Sequence, residues 1–155
     1  MQILEKYLQY LILNNYLKLF NSGIYTNYGT SIVKILIADD NDTDRLILKT
    51  ILTKSEHEVF AAADGLEAVE LFKQCTPEIV LLDALMPNMD GYGAAIEIKK
   101  LAGEIMVPII FLTSLREASA LARCLEVGGD DFLTKPYNQV ILEAKLRAFA
   151  RMKLL

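Results

Sequence analysis

From Val33 onward, short apolar runs and amphipathic stretches alternate five times, and this alternation narrows the available folds more than any other feature of the chain. The runs are Val33 to Ala38, Glu58 to Ala61, Ile79 to Leu82, Val107 to Leu112 and Asp131 to Thr134. Each has the length of a strand, and Pro108 is tolerable at the start of one. Between and after them, apolar residues recur at helical spacing. The expected helix faces carry Leu48, Ile51 and Leu52; Leu66, Val69 and Phe72; Ile98 and Leu101; Leu121, Ala122 and Leu125; and Leu142, Leu146 and Phe149. Asp64, with Glu67 three residues on, reads as the start of the second helix, and Gly128-Gly129 as the stop of the fourth. Such alternation implies an α/β fold with a parallel sheet.

At 155 residues the chain has a one-domain length and can bury about two thirds of its unfolded surface. Cys75 and Cys124 lie far apart without metal-type spacing, which fits two half-buried thiols in a reducing compartment. The net charge is −4 and the basic residues do not gather into a stripe, which argues against direct nucleic-acid contact by this segment. Residues 1–31 read as an extension to a domain spanning 32–152, with 153–155 as its end or the start of a linker. Ile3, Leu4, Tyr7, Leu8, Leu11 and Ile12 recur as in an amphipathic helix. Docking of that helix on the domain, or on a second copy to give a homodimer, is the leading reading; a mistaken start codon or a membrane-surface contact comes next. No apolar stretch is long enough to span a membrane, and a secretory signal is a poor fit.

Four of the expected strands end in polar residues: Asp39-Asp40, Asp83, Thr113-Ser114 and Lys135-Pro136. In open α/β sheets a ligand crevice lies outside the carboxyl ends of the strands, where strand order reverses. Three carboxylates facing one crevice repel each other unless a cation or a lysine compensates. A hard divalent ion such as Mg²⁺ is thereby implied, since it takes a few oxygen ligands and leaves positions for phosphate oxygens. A carboxylate can also act as nucleophile toward phosphorus, with metal and ammonium absorbing charge. Taken singly, each residue has a plainer reading. Asp39 and Asp40 could begin a helix, Asp83 could be a turn residue, Thr113 and Ser114 could cap the fourth helix, and Lys135 could be solvated. Their combination at four strand tips favours a site. His57 reads as an ordinary surface residue.

Ile35 to Asp40, Leu82 to Gly91, Thr113-Ser114 and Asp130 to Tyr137 together resemble a bacterial two-component response-regulator receiver domain, with all motifs in family order from about Val33 to Arg151. The resemblance implies a flavodoxin-like (βα)5 three-layer sandwich whose five-stranded parallel sheet has the order 2-1-3-4-5. It implies that Asp83 is the phosphoacceptor for a sensor histidine kinase or a histidine phosphotransfer protein. Asp40 and Asp83 would bind Mg²⁺ directly, Asp39 mainly through water, and the Leu85 backbone carbonyl would be a further ligand. Lys135 would pair with Asp83 before phosphorylation and with a phosphoryl oxygen afterwards, and Pro136 matches a cis-proline. Thr113 would bond the phosphoryl group, and Phe132 matches the aromatic whose position reports the state. The response would be a population shift at the surface of the fourth helix, fifth strand and fifth helix.

Gly91 and Gly93 are expected to give the loop after Asp83 its unusual backbone. Leu85 and Leu115 match variable positions that govern water access to the acyl phosphate; both are apolar, and slow self-dephosphorylation is expected. Val140-Ile141 stand where receivers joined to winged-helix domains commonly carry acidic dimer-face residues, and an apolar face or core packing explains them equally well. The expected role is therefore that of a cytoplasmic regulatory phosphoacceptor rather than a metabolic enzyme, with its effector unread. A haloacid-dehalogenase-like phosphohydrolase is the enzyme rival, but it requires Asp-x-Asp and the sequence has Asp83-Ala84-Leu85. A receiver-like module that is never phosphorylated requires a broken pocket, whereas Asp39, Asp40, Asp83, Thr113 and Lys135 are all present.

Overall fold

A computed structural model describes residues 32–152. The expectations for residues 1–31 and 153–155 lie outside the described residues. Strands β1 (Lys34–Ala38), β2 (Glu58–Ala62), β3 (Ile79–Leu82), β4 (Ile109–Thr113) and β5 (Asp131–Thr134) alternate with helices α1 (Asp42–Lys54), α2 (Gly65–Cys75), α3 (Gly91–Ala102), α4 (Ala118–Glu126) and α5 (Gln139–Met152). All strand pairs are parallel, and the sheet order is β2-β1-β3-β4-β5. The fold class and strand order are those expected.

The central strands are continuously apolar because helices cover both faces of the sheet. Alternate residues of each strand point to opposite faces. Leu36, Ala38, Val80, Leu82, Ile109 and Phe111 join one buried cluster with α2 and α3 residues such as Phe72 and Ile98. Ile35, Ile37, Ile79, Leu81, Ile110 and Leu112 join a second cluster with Leu48 and Leu52 of α1 and Leu142, Leu146 and Phe149 of α5. Truncating one of these fully buried side chains to alanine costs about 2–5 kcal/mol.

Three helix faces differ from expectation. Leu66 and Leu101 are about half exposed and Leu125 is exposed. Val69 and Phe72 of α2 and Ile98 of α3 are buried as expected, and small residues join them against the sheet: Ala68 in α2, Ala94, Ala95 and Ala102 in α3, and Cys124 in α4. Small side chains let a helix lie close to the sheet, so the large residues on the flanks stay in water. Cys124 is fully buried and Cys75 partly so, and both are free.

The helix ends follow local chemistry. Asn41, Asp64 and Asp90 each accept a backbone N–H from the first turn of α1, α2 and α3, and Asn138 does the same for α5. Thr113 and Ser114 do not cap α4, whose start is Glu117 without a side-chain cap bond. Beyond α4, Gly128 takes a positive φ of 108°, and at Gly129 a Cβ would stand 2.3 Å from the Cys124 carbonyl oxygen. Val140 and Ile141 are 67% and 49% exposed, so they form an apolar surface rather than core. Among the described residues no helix is long and apolar enough to cross a membrane.

Candidate functional site

Strand order reverses between β1 and β3, and their register sets Ala38 beside Leu82. The next residues, Asp39 and Asp83, therefore emerge side by side at the carboxyl edge of the sheet. Both are anchored through their backbones: the Asp39 N–H donates to the Ala62 carbonyl at 3.1 Å and the Asp83 N–H to the Ala38 carbonyl at 2.9 Å. On the far side, Thr113 ends β4 and pairs with Thr134 of β5. The Lys135 N–H then donates to the Thr113 carbonyl at 2.7 Å, which aims the lysine back over the strand tips. The Lys135-Pro136 peptide is cis.

The Lys135 ammonium reaches three carboxylates. Its Nζ lies 2.7 Å from Asp39, 3.1 Å from Asp83 and 3.2 Å from Asp44. Asp39 is only 4% exposed and also accepts the Asn41 N–H at 2.9 Å. Burial raises the Asp83 carboxyl above its ordinary value, and Lys135 recovers part of that loss. Burial alone would lower the lysine, but its bonds to Asp39 and Asp83 outweigh it and hold Lys135 firmly protonated. Both shifts are upward, which favours the ammonium but disfavours the Asp83 carboxylate: the lysine is shared, Asp39 is the nearer partner, and Asp83 receives only part of its charge. The cation is secure, while the Asp83 anion remains under-compensated.

Asp40 is exposed and has no hydrogen-bond or ion-pair partner among the described residues. One oxygen each from Asp39, Asp40 and Asp83 lies within 4.8 Å of the others. Ligands of an octahedral Mg²⁺ stand about 3.0 Å apart when adjacent and about 4.2 Å when opposite, given metal–oxygen distances near 2.1 Å. The donor set, all hard anionic oxygens with one free to swing, fits such an ion.

The loop after Asp83 departs from expectation. Gly91 and Gly93 are not its irregular residues, for both lie in the first turn of α3. Gly91 is required by close approach, since a Cβ there would stand 1.9 Å from the Asp83 carbonyl oxygen. The left-handed residue is Asn88, with φ 67°. Its side chain donates to Asp64 at 2.7 Å, and the Gly65 N–H donates to the Met89 carbonyl at 3.0 Å, so the start of α2 tethers the loop.

Thr113 is buried, and its hydroxyl oxygen accepts the Leu115 N–H at 3.1 Å. Phe132 packs partly buried against the cluster that holds Phe111, its register partner. Leu85 is exposed, and its backbone N–H donates to the Asp83 carboxylate. His57 is not the plain surface residue expected. It is half-buried, its Nδ1 accepts the Val33 N–H at 3.2 Å, and burial lowers its pKa against the opposing pull of Glu143.

Two neighbours of the site were not anticipated from sequence. Asp44, in the first turn of α1, reaches Lys135, and Arg45 donates to the Asp39 backbone carbonyl at 2.7 Å. The available signal was the helical turn itself: a helix starting just after Asp40 brings residues four and five positions on back toward the strand tip.

A doubly wound α/β sheet thus gathers an acidic triad and a lysine at its switch point, the place where folds of this class bind ligands. Residues 35–147 match the response regulator receiver domain family, and the chain belongs to it. A probable transcriptional regulator ycf27 from Porphyridium aerugineum is 44% identical over 118 residues, covering 76% of this chain and 48% of that protein. The chain thus spans about half the length of that relative. The CheX–CheY–BeF3–Mg²⁺ complex from Borrelia burgdorferi gives a match with TM-score 0.69 and 29% identity, covering 81% of this chain and 94% of the other. The Saccharomyces cerevisiae complex of the histidine phosphotransfer protein Ypd1 with the receiver domain of Ssk1 gives TM-score 0.74 and 27% identity, covering 80% and 92%. The chain is a receiver domain of the two-component response-regulator type, with a regulatory role, and the phosphohydrolase reading is set aside.

Proposed function

We propose that Asp83 accepts a phosphoryl group from a phosphohistidine on a sensor histidine kinase or a histidine phosphotransfer protein, and that the acyl phosphate changes the surface around α4, β5 and α5. The observation that carries this reading is the joint placement of Asp83 with Asp39, Asp40 and Lys135, the ammonium standing 3.1 Å from the Asp83 carboxylate. An Asp83 oxygen attacks phosphorus; the new O–P bond forms as the donor N–P bond breaks, and the imidazole nitrogen keeps the electron pair. Lys135 exchanges part of its carboxylate contact for a phosphoryl oxygen, and the Thr113 hydroxyl turns from its local bond to donate to another. Mg²⁺ would be held by Asp40 and Asp83, by Asp39 through water and by the Leu85 carbonyl, and when bound it supplies positive charge against the phosphoryl oxygens.

The chain then catalyses only its own phosphorylation and dephosphorylation, and it works in the cytoplasm, where phosphohistidine donors and Mg²⁺ are both at hand. The exposed Leu85 and partly buried Leu115 place apolar side chains beside the tip residues and slow the entry of water to the acyl phosphate, giving a lifetime of minutes or longer. Incubation of the 155-residue chain with acetyl phosphate and Mg²⁺, followed by intact mass, tests the reading. One phosphate appears on wild type and none on Asp83→Ala; an adduct that persists in the alanine variant, or no adduct on wild type, overturns it. Loss of the adduct within seconds after donor removal overturns the slow-release part.

A further inference from the structure

Lys135 has three N–H donors, and three carboxylates already occupy them: Asp39 at 2.7 Å, Asp83 at 3.1 Å and Asp44 at 3.2 Å. A phosphoryl oxygen arriving on Asp83 needs one of those donors, so one carboxylate must be released. The three differ in what release costs. Asp39 is nearly buried and is the closest partner, so freeing it would strand a charge away from water. Asp83 becomes the acylated group itself and stays at the centre of the site. The Asp44 side chain is 46% exposed, so water takes over its solvation at small cost. Asp44 is also outside the group of three carboxylates that could hold a cation.

We propose that Asp44 is a positioning residue that holds the Lys135 ammonium in the resting site and is the partner it gives up when phosphate arrives on Asp83. This rests on Asp83 being the phosphoacceptor. Asp44 then acts as a brake, because each phosphorylation event must first break the Asp44–Lys135 pair and must bring an anion toward a carboxylate that has just lost its counter-charge. Its place in the first turn of α1, with its own N–H on the Asn41 side chain at 2.9 Å, keeps the carboxylate within reach of the lysine without making it part of the metal group.

The test compares wild type, Asp44→Asn and Asp44→Glu as full chains, measuring the rate of adduct formation with acetyl phosphate and Mg²⁺ by intact mass. An exposed ion pair of this kind is worth up to about 1 kcal/mol, so Asp44→Asn speeds the reaction by about threefold to fivefold. Asp44→Glu, which keeps the charge, returns the rate to within about twofold of wild type, and Mg²⁺ affinity by calorimetry moves by less than about twofold in both, since Asp44 is no ligand. At about 1 M salt the Debye length falls to about 3 Å, and the gain shrinks as the exposed pair is screened. Rates equal to or below wild type in Asp44→Asn overturn the proposal, as does a gain that Asp44→Glu shares. Failure of wild type itself to take phosphate on Asp83 would instead overturn the underlying reading.

Discussion

Replacing Lys135 with alanine tests the electrostatics of the site without any phosphodonor. The substitution leaves Asp39 and Asp83, both largely buried, with no counter-charge, while Asp44 turns to solvent at little cost. Removing one partner of a buried ion pair destabilises a fold by about 3–5 kcal/mol. Because the Lys135 side chain is 19% exposed and some water reaches the pair, the lower end applies, about 3 kcal/mol. For a domain of this size that lowers Tm by about 10 °C. The deficit depends on pH. Burial raises the Asp83 carboxyl above 3.8, so its contribution to stability is present below that unfolded value and is lost as pH rises through the folded one. Without Lys135 the folded value climbs further, so the deficit widens from acid to neutral pH. Mg²⁺ supplies the missing positive charge, and at about 100 times its Kd it returns about 2.7 kcal/mol. The assay is thermal and urea unfolding by circular dichroism, in EDTA and in Mg²⁺ at matched ionic strength. A variant within about 1 kcal/mol of wild type in EDTA, or one stabilised by Mg²⁺ no more than wild type is, would refute the account of Lys135 as the compensating charge.

Two further outcomes follow from the packing. Burial holds the His57 pKa below 6.5 and its Nδ1 accepts a backbone N–H, so the neutral ring is the folded form and the unfolded chain binds the proton more readily. The stability it supports is complete above 6.5 and falls as pH drops through that value; His57→Asn, which keeps an acceptor but does not titrate, gives urea midpoints that change less between about pH 5 and about pH 7.5, and an unchanged slope counts against the assignment. Gly91→Ala forces a methyl to within 1.9 Å of the Asp83 carbonyl oxygen, so α3 must shift from the β3 tip; unfolding free energy drops by more than about 2 kcal/mol and phosphorylation slows with it, whereas a loss under about 0.5 kcal/mol contradicts the contact.

The strands were legible because a parallel sheet covered on both sides leaves a plain mark: short runs with no polar interruption. Ile79–Leu82 and Asp131–Thr134 coincide with expectation, and the remaining boundaries move by one or two residues. Helix faces were less legible, and the errors share a cause. Leu66, Leu101 and Leu125 are large and apolar, yet they lie on the flanks, and the places beside Val69, Phe72 and Ile98 against the sheet go to Ala68, Ala94, Ala95 and Ala102, with Cys124 in α4. Reading periodicity from hydrophobicity favours large side chains, whereas close approach of a helix to a sheet is set by small ones. For Gly91 likewise, the sequence shows a glycine but not that the obstacle is the backbone of Asp83.

The same distinction divides the site. Asp39, Asp83, Thr113 and Lys135 were legible because strand ends in one parallel sheet must share an edge, and the register Ala38 beside Leu82 then makes neighbours of two aspartates 44 residues apart. Asp44 and Arg45 were not legible because their reach depends on how α1 is rotated about its axis over β1, a tertiary quantity. In the sequence Asp44 is simply an acid in a first turn, where the helix dipole favours one. Once placed, it alters the charge balance: the ammonium of Lys135 faces three carboxylates, Asp40 stands unpaired among the described residues, and the Asp83 anion is under-compensated. A site with that excess of negative charge takes up a cation readily, and it resists an incoming anion until the cation is there. On the proposed reading, dependence on the metal and a slow rate without it both follow from one count of charges, and the Lys135 and Asp44 substitutions alter that count in opposite directions.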